Sequence, residues 1–248
     1  MECDCRLVRN RIAKLSGIIA LALVLAACAR DPLPEFPRVV LWAWESPQDL
    51  SFIDPGAVGV AFLAKTVVIG GGTTQIVLRR EPLRVPPGTS LMAVVRVQSS
   101  GEALPDVREA AAAIGDAAKL AGVRALQIDF DATQSERSFY RDLIARLKTQ
   151  IPPSFPITIT ALASWCRYDN WIGDLPVAEA VPMLFRMGPD GYKPGEKFRL
   201  SLCGNSVGIS TDEPIIKLPR VRRVYIFHPG SWTKVDYRNA LQEVKRWI

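Results

Sequence analysis

The chain has 248 residues, with 31 Lys and Arg against 25 Asp and Glu, a net charge of +6 and a single histidine. So mild a charge, with no Lys/Arg run and no basic-aromatic stripe, argues against a nucleic-acid partner. One histidine, scattered acidic residues and no cysteine pair at ligand spacing leave neither a metal nor a cofactor to expect.

The N-terminus reads as a targeting signal. Arg6, Arg9, Arg11 and Lys14 precede an apolar stretch over 15–27, which is shorter than the ~20 residues of a membrane-spanning helix. Leu25-Ala26-Ala27-Cys28 then resembles the lipobox of bacterial lipoproteins. That resemblance implies a signal peptide over 1–27, acylation of Cys28 and a membrane partner reached through a two-chain lipid anchor. Ala29 stands where an inner-membrane retention signal would carry Asp, so the expected address is the periplasmic side of the outer membrane. Without residues 1–27 the net charge falls to +4. A Pro-rich tether over 28–37 (Pro32, Pro34, Pro37) is expected to lead into one folded domain over 38–248.

Apolar runs of strand length recur through that domain, at 39–45, 58–69, 91–98, 125–131, 157–165, 181–187, 207–213 and 224–228. Eight parallel strands close a barrel. The intervening helices are uneven. Residues 106–121 are Ala-rich and stop at Gly122, residues 135–150 carry Phe139, Leu143, Ile144 and Leu147 at helical spacing, and residues 236–247 make a closing helix. Residues 46–53 and 169–175 leave room only for short turns, and Gly70-Gly71-Gly72 predicts a hairpin into 74–78 where a helix would be expected. The expected fold is α/β, a distorted (β/α)8 TIM-like barrel with short or missing helices and a β-hairpin after its second strand. A smaller open α/β sheet is the competing architecture. Cys166 and Cys203 could pair in an oxidising compartment, although this strand layout sets them at opposite ends of a barrel, and the question stays open.

Chemistry in such a barrel gathers at the C-terminal strand ends. Alternation puts Gln127, Asp129 and Asp131 on one face and Leu126, Ile128 and Phe130 on the other. The same ends supply Trp44, Glu45, Arg96, Trp165, Arg186, Asp212 and His228, with Trp232 just beyond. Asp129 and Asp131 are the catalytic candidates and the others are candidate ligand contacts, the tryptophans as faces for sugar rings. Gly70-Gly71-Gly72 lacks the Lys-Ser/Thr of a phosphate loop, and no Gly-x-Ser-x-Gly surrounds a serine.

The segment Gln127-Ile128-Asp129-Phe130-Asp131 resembles the fourth-strand Asp-x-Asp-x-Glu of chitinase-type glycoside hydrolases. By that resemblance Asp131 matches the glutamate that protonates the glycosidic oxygen, and Asp129 matches the middle Asp that supports the substrate's N-acetyl group. Gln127 replaces the first Asp. Met183-Leu184-Phe185-Arg186 faintly echoes the sixth-strand Met-x-Tyr-Asp, and Trp232 the tryptophan floor after the eighth strand. The whole run of segments also resembles an uncharacterised lipoprotein family with glycosidase-like barrels, through Leu126–Asp131, Thr160–Trp165 and Gly208–Pro214. The implied function is a lipid-anchored periplasmic protein that acts on an envelope or exported polysaccharide by carboxylate acid catalysis. A barrel that has lost catalysis and serves in glycan binding or envelope assembly is the alternative. Arg96 and Arg186 decide between them, because salt bridges to the aspartates would make an inert polar layer.

Overall fold

The computed structural model describes residues 31–187, 193, 197–214 and 218–246. The expected signal peptide, its cleavage point and Cys28 lie outside them. Residues 35–248 form the compact unit considered below.

Eight parallel strands make a closed barrel: β1 (Val39–Ala43), β3 (Val58–Gly70), β6 (Leu91–Ser99), β7 (Val123–Asp129), β8 (Ile157–Leu162), β9 (Glu179–Met183), β10 (Ser206–Ser210) and β11 (Arg223–Phe227). Closure runs through β1, where Val39 aligns with Val224 of β11 on one side and with Val58 of β3 on the other. The open-sheet alternative is thereby excluded. Three shorter strands decorate the wall: β2 (Gln48–Asp49) pairs with β5 (Leu83–Arg84), and β4 (Thr73–Leu78) runs antiparallel to the upper half of β3. The β3–β4 turn is made by Gly71 and Gly72, with φ of +54° and +72°, a pair of left-handed conformations that side chains resist. The predicted hairpin is thus present, whereas residues 46–53 contribute the two-residue β2 where only a short helical turn is expected.

Alternation sorts the strand residues. Leu41, Val60, Val95, Leu126, Ile128, Ile159, Val207 and Ile226 face outward and are buried beneath the shell of helices and loops. Met92, Val94, Thr158 and Tyr225 fall in the opposite set, which fills the barrel. Among the described residues three α-helices cover the outside: α1 (Val107–Gly115), α2 (Arg137–Gln150) and α3 (Lys234–Val244). Asp106 caps α1 by accepting from the Arg108 N–H at 2.7 Å, and the helix buries Ala110, Ala111 and Ile114 before tightening into a 3-10 turn. Capping boxes built by Thr133 with Glu136, and by Thr233 with Asp236, start the segments carrying α2 and α3. On α2 the deeply buried aromatic is Tyr140 rather than Phe139, followed by Leu143, Ile144 and Leu147.

The barrel's N-terminal end is closed by a polar bolt that hydrophobic pattern alone does not reveal. Arg223 and Glu179, 1% and 0% exposed, meet at 3.3 Å, and the Tyr225 hydroxyl donates to Glu179 at 2.7 Å. Arg223 also donates to the carbonyl oxygens of Pro37 at 3.2 Å and Phe36 at 3.4 Å. A Cβ on Gly59 would lie 3.1 Å from the Phe36 ring. Residues 35–37, expected to belong to a free tether, are therefore docked on the base of the barrel.

Cys166 and Cys203 are bonded, with Cα atoms 5.9 Å apart. The strand layout suggested opposite ends because Cys203 was placed beside the start of β10. Instead, the segment leading to β10 runs along the turn that follows β8, and the Arg199 N–H donates to the Cys166 carbonyl at 2.9 Å. The two cysteines meet in the outer apolar shell, where both are fully buried.

Candidate functional site

Strands β1, β7, β8, β9, β10 and β11 end earlier than their apolar runs suggest, so Glu45, Asp131, Arg186, Asp212 and His228 stand on loops just past strand ends and Trp165 opens the helical turn after β8. Asp129 is the last residue of β7, half-buried, and Asp131 follows it at the exposed rim. The Thr160 hydroxyl of β8 donates to Asp129 at 2.7 Å. Beneath them Gln127 is fully buried. Its carbonyl oxygen accepts from the Trp42 indole N–H at 2.7 Å, and its amide donates to the Thr158 hydroxyl at 3.3 Å. Gln127 thus braces the floor with its amide rather than offering it to a ligand.

Two recesses meet at this point. One, of about 180 Å³, opens in the barrel mouth and is lined by Trp42, Trp44, Gln127, Met183, Phe185 and Phe227, among others. The other is a polar cleft of about 930 Å³ over the ends of β6 and β7, lined by Gln98, Ser99, Glu102, Leu104, Thr133 and Glu136, among others. Arg96, Asp129 and Asp131 line both. Trp42 reaches the mouth because β10 carries Gly208 opposite it, where a Cβ would come within 2.9 Å of the indole.

The two arginines do not neutralise the aspartates. Arg96 pairs with Glu45 at 3.8 Å and lies over the Trp44 ring at 5.9 Å. Arg186 pairs with Asp212 at 3.4 Å and lies over Phe227 at 5.5 Å. Among the described residues, neither Asp129 nor Asp131 has a cationic nitrogen within 4.0 Å. Burial pushes the Asp129 carboxyl up to about 6; the Asp131 charge adds to this, while Thr160 and Arg96 oppose it. Asp131 is raised too, again by burial, with Arg96 opposing. Asp212 is held low, chiefly by the hydrogen bond from Ser210, so it stays ionised. Environments that drive neighbouring carboxyls apart in this way separate an acid from a permanent anion.

Three expected contacts lie elsewhere. Trp165 packs against Trp171 in the shell outside the barrel, with ring centroids 4.8 Å apart. Trp232 is likewise buried outside, its indole donating to the Trp42 carbonyl at 2.9 Å, and cannot be a floor for the mouth. His228 stacks on Trp232 at 4.8 Å, bonds Thr211 at 2.7 Å through Nδ1 and lies 3.7 Å from Asp236 through Nε2, so it closes a loop junction. In their place the structure supplies Trp42, Phe185 and Phe227, with the rings of Phe185 and Phe227 stacked at 5.7 Å. Parity along β1 puts Trp42 on the same face as Trp44 and so could have found it. Phe185 lies past the end of β9, where parity gives no guide.

No protein-family model matches the chain, nor does any curated protein. Solved structures do. A protein named as a chitinase A from Streptomyces coelicolor superposes with a TM-score of 0.53 at 11% identity, over 86% of this chain and 97% of that one. The likeness is one of fold, a closed α/β TIM-like barrel. A fungal endo-β-N-acetylglucosaminidase of glycosyl hydrolase family 18 gives 0.42 at 14% identity, over 85% of this chain and 86% of that one. The Bacillus cereus spore cortex-lytic enzyme SleL gives 0.43 at 16% identity, over 71% and 51%.

Proposed function

We propose that this protein is a lipid-anchored periplasmic glycoside hydrolase, held to the outer membrane through Cys28, that cleaves an envelope or exported polysaccharide. Asp131 acts as the general acid on the glycosidic oxygen, because it stands at the junction of mouth and cleft, where a scissile bond can reach it. Asp129 behind it orients the substrate or stabilises the positive charge that develops on the sugar as the bond breaks. Trp42, Trp44 and Phe227 offer apolar faces to the sugar in the mouth, and the cleft takes the continuing chain.

One observation carries this reading: two adjacent carboxyls are both held toward the protonated form while the nearby arginines are engaged by Glu45 and Asp212. An inert polar layer would show the reverse pairing, so the non-catalytic alternative is not favoured. The test is incubation of the purified protein with peptidoglycan, chitin oligomers and exopolysaccharides beside Asp131→Asn. Release of reducing ends by the wild type alone is the expected result. A wild type that neither releases sugars nor binds any glycan would sink the proposal.

A further inference from the structure

Resting on the reading of this site as a glycan site, we infer that the sugar residue in the barrel mouth bears a carboxylate, bound by the guanidinium groups of Arg96 and Arg186. Both arginines line the same small recess as the two aspartates. Each is set by an aromatic ring beneath it, Trp44 or Phe227, and stacking orients a guanidinium without consuming its N–H donors.

The carboxylates that do engage them hold weakly. Glu45 is 62% exposed and 3.8 Å from Arg96; Asp212 is 38% exposed and reaches one Arg186 nitrogen at 3.4 Å. Exposed pairs of this kind contribute little, so an incoming carboxylate can take over the donors in the bidentate geometry that a guanidinium favours.

Arg186 also occupies a costly backbone position, with φ of +54°, secured by its own N–H donating to the Glu213 carboxylate at 2.9 Å. Glycine or asparagine would sit there with less strain, so the position is held for its side chain. A ligand anion in the recess also suits the chemistry. Its charge opposes ionisation of Asp129 and Asp131 and so keeps a proton available for the leaving oxygen.

A ring carboxylate of a uronic acid and the lactyl ether of an amino sugar share this chemistry, and the experiment separates them. Full-length Asp131→Asn protein, which binds without turnover, is titrated by calorimetry with an oligogalacturonate, a lactyl-bearing N-acetylmuramyl oligosaccharide and a neutral N-acetylglucosamine oligomer of equal length. One acidic oligomer should bind at least about tenfold more tightly than the neutral one, and the margin should shrink at ~0.5 M salt. Adding Arg186→Gln should remove most of that margin while leaving neutral binding in place, and Arg186→Lys should restore it only in part. Arg186 is exposed, so these variants are expected to fold; Arg96→Gln, read in the same way, gives a second measure. Neutral binding as tight as acidic, or a margin that survives both arginine variants, overturns the inference and leaves the glycan reading standing. Absence of binding to all three oligomers overturns both.

Discussion

Asp129 and Asp131 differ by one step along the chain's inner face, yet they meet different surroundings: the first is enclosed and bonded to Thr160, the second stands at the rim. Burial raises both carboxyls, and the Asp131 charge adds to the shift at Asp129. The acid works only while protonated. A kcat/KM profile is therefore expected to fall as pH rises through the Asp131 titration, which burial moves above the usual carboxylate range, and Asp131→Asn should lower kcat by at least ~100-fold.

Asp129 also makes a stability prediction. Its folded-state value lies above the ~3.9 of an unfolded Asp, so between about pH 4 and 6 the folded chain holds a proton that the unfolded chain has released. Stability drains over that window as pH rises and stays reduced above it. Asp129→Asn, which keeps an acceptor for Thr160, should raise Tm by a few degrees at pH 8 and leave it unchanged near pH 4. Gly208→Ala should act oppositely at all pH values. The added methyl meets Trp42 and loosens its bond to Gln127, at a cost of about 1–3 kcal/mol in thermal or urea unfolding.

At this scale parity read the sequence well. It put Gln127, Asp129 and Asp131 on one face and would have put Trp42 with Trp44. It gave no guide at Trp165, Phe185, His228 and Trp232, which lie beyond strand ends, where the path of the connection decides what a side chain meets.

Among elements, the parallel strands were legible because outward positions such as Leu126, Ile128, Val207 and Ile226 are uniformly apolar. Their ends were not, since Ala163 and Trp165 extend the apolar run of β8 into a turn that packs on the shell instead of the sheet. The pairing of Cys166 with Cys203 was equally hidden, because it depends on the path of a connection that carries no regular pattern. That bond encloses a loop of 37 residues' separation. Replacing both cysteines by Ala should cost about 4 kcal/mol by the chain-entropy relation, read as a lower urea midpoint in the oxidised protein. The reduced wild type should match the variant. The hairpin strand β4 raises a different matter: Ile76, Val77 and Leu78 are 49%, 57% and 64% exposed on the last strand of the sheet. Val77→Lys should improve solubility in a concentration series with little change in Tm.

The molecule as a whole divides its labour along the barrel axis. Its base is locked by Arg223, Glu179 and Tyr225 and by the docked residues 35–37, while the opposite rim carries the titrating carboxyls. Arg223→Met removes the buried cation that meets Glu179 and should cost about 3–5 kcal/mol, enough to show in any denaturant curve. Such a pair is invisible in sequence, where Glu179 and Arg223 read only as polar residues flanking apolar runs. The overall closure, by contrast, follows from counting eight strands.

That closure sets a timetable. Strand β1 bonds directly to β11, joining Val39 to Val224 across nearly the entire folded unit. A chain emerging from N- to C-terminus can therefore build most of the wall piece by piece, but its first strand keeps one edge open until its last arrives. The unfinished barrel is the state most prone to join its neighbours. For a chain of this architecture, the hazard lies in the interval before the seam is sewn.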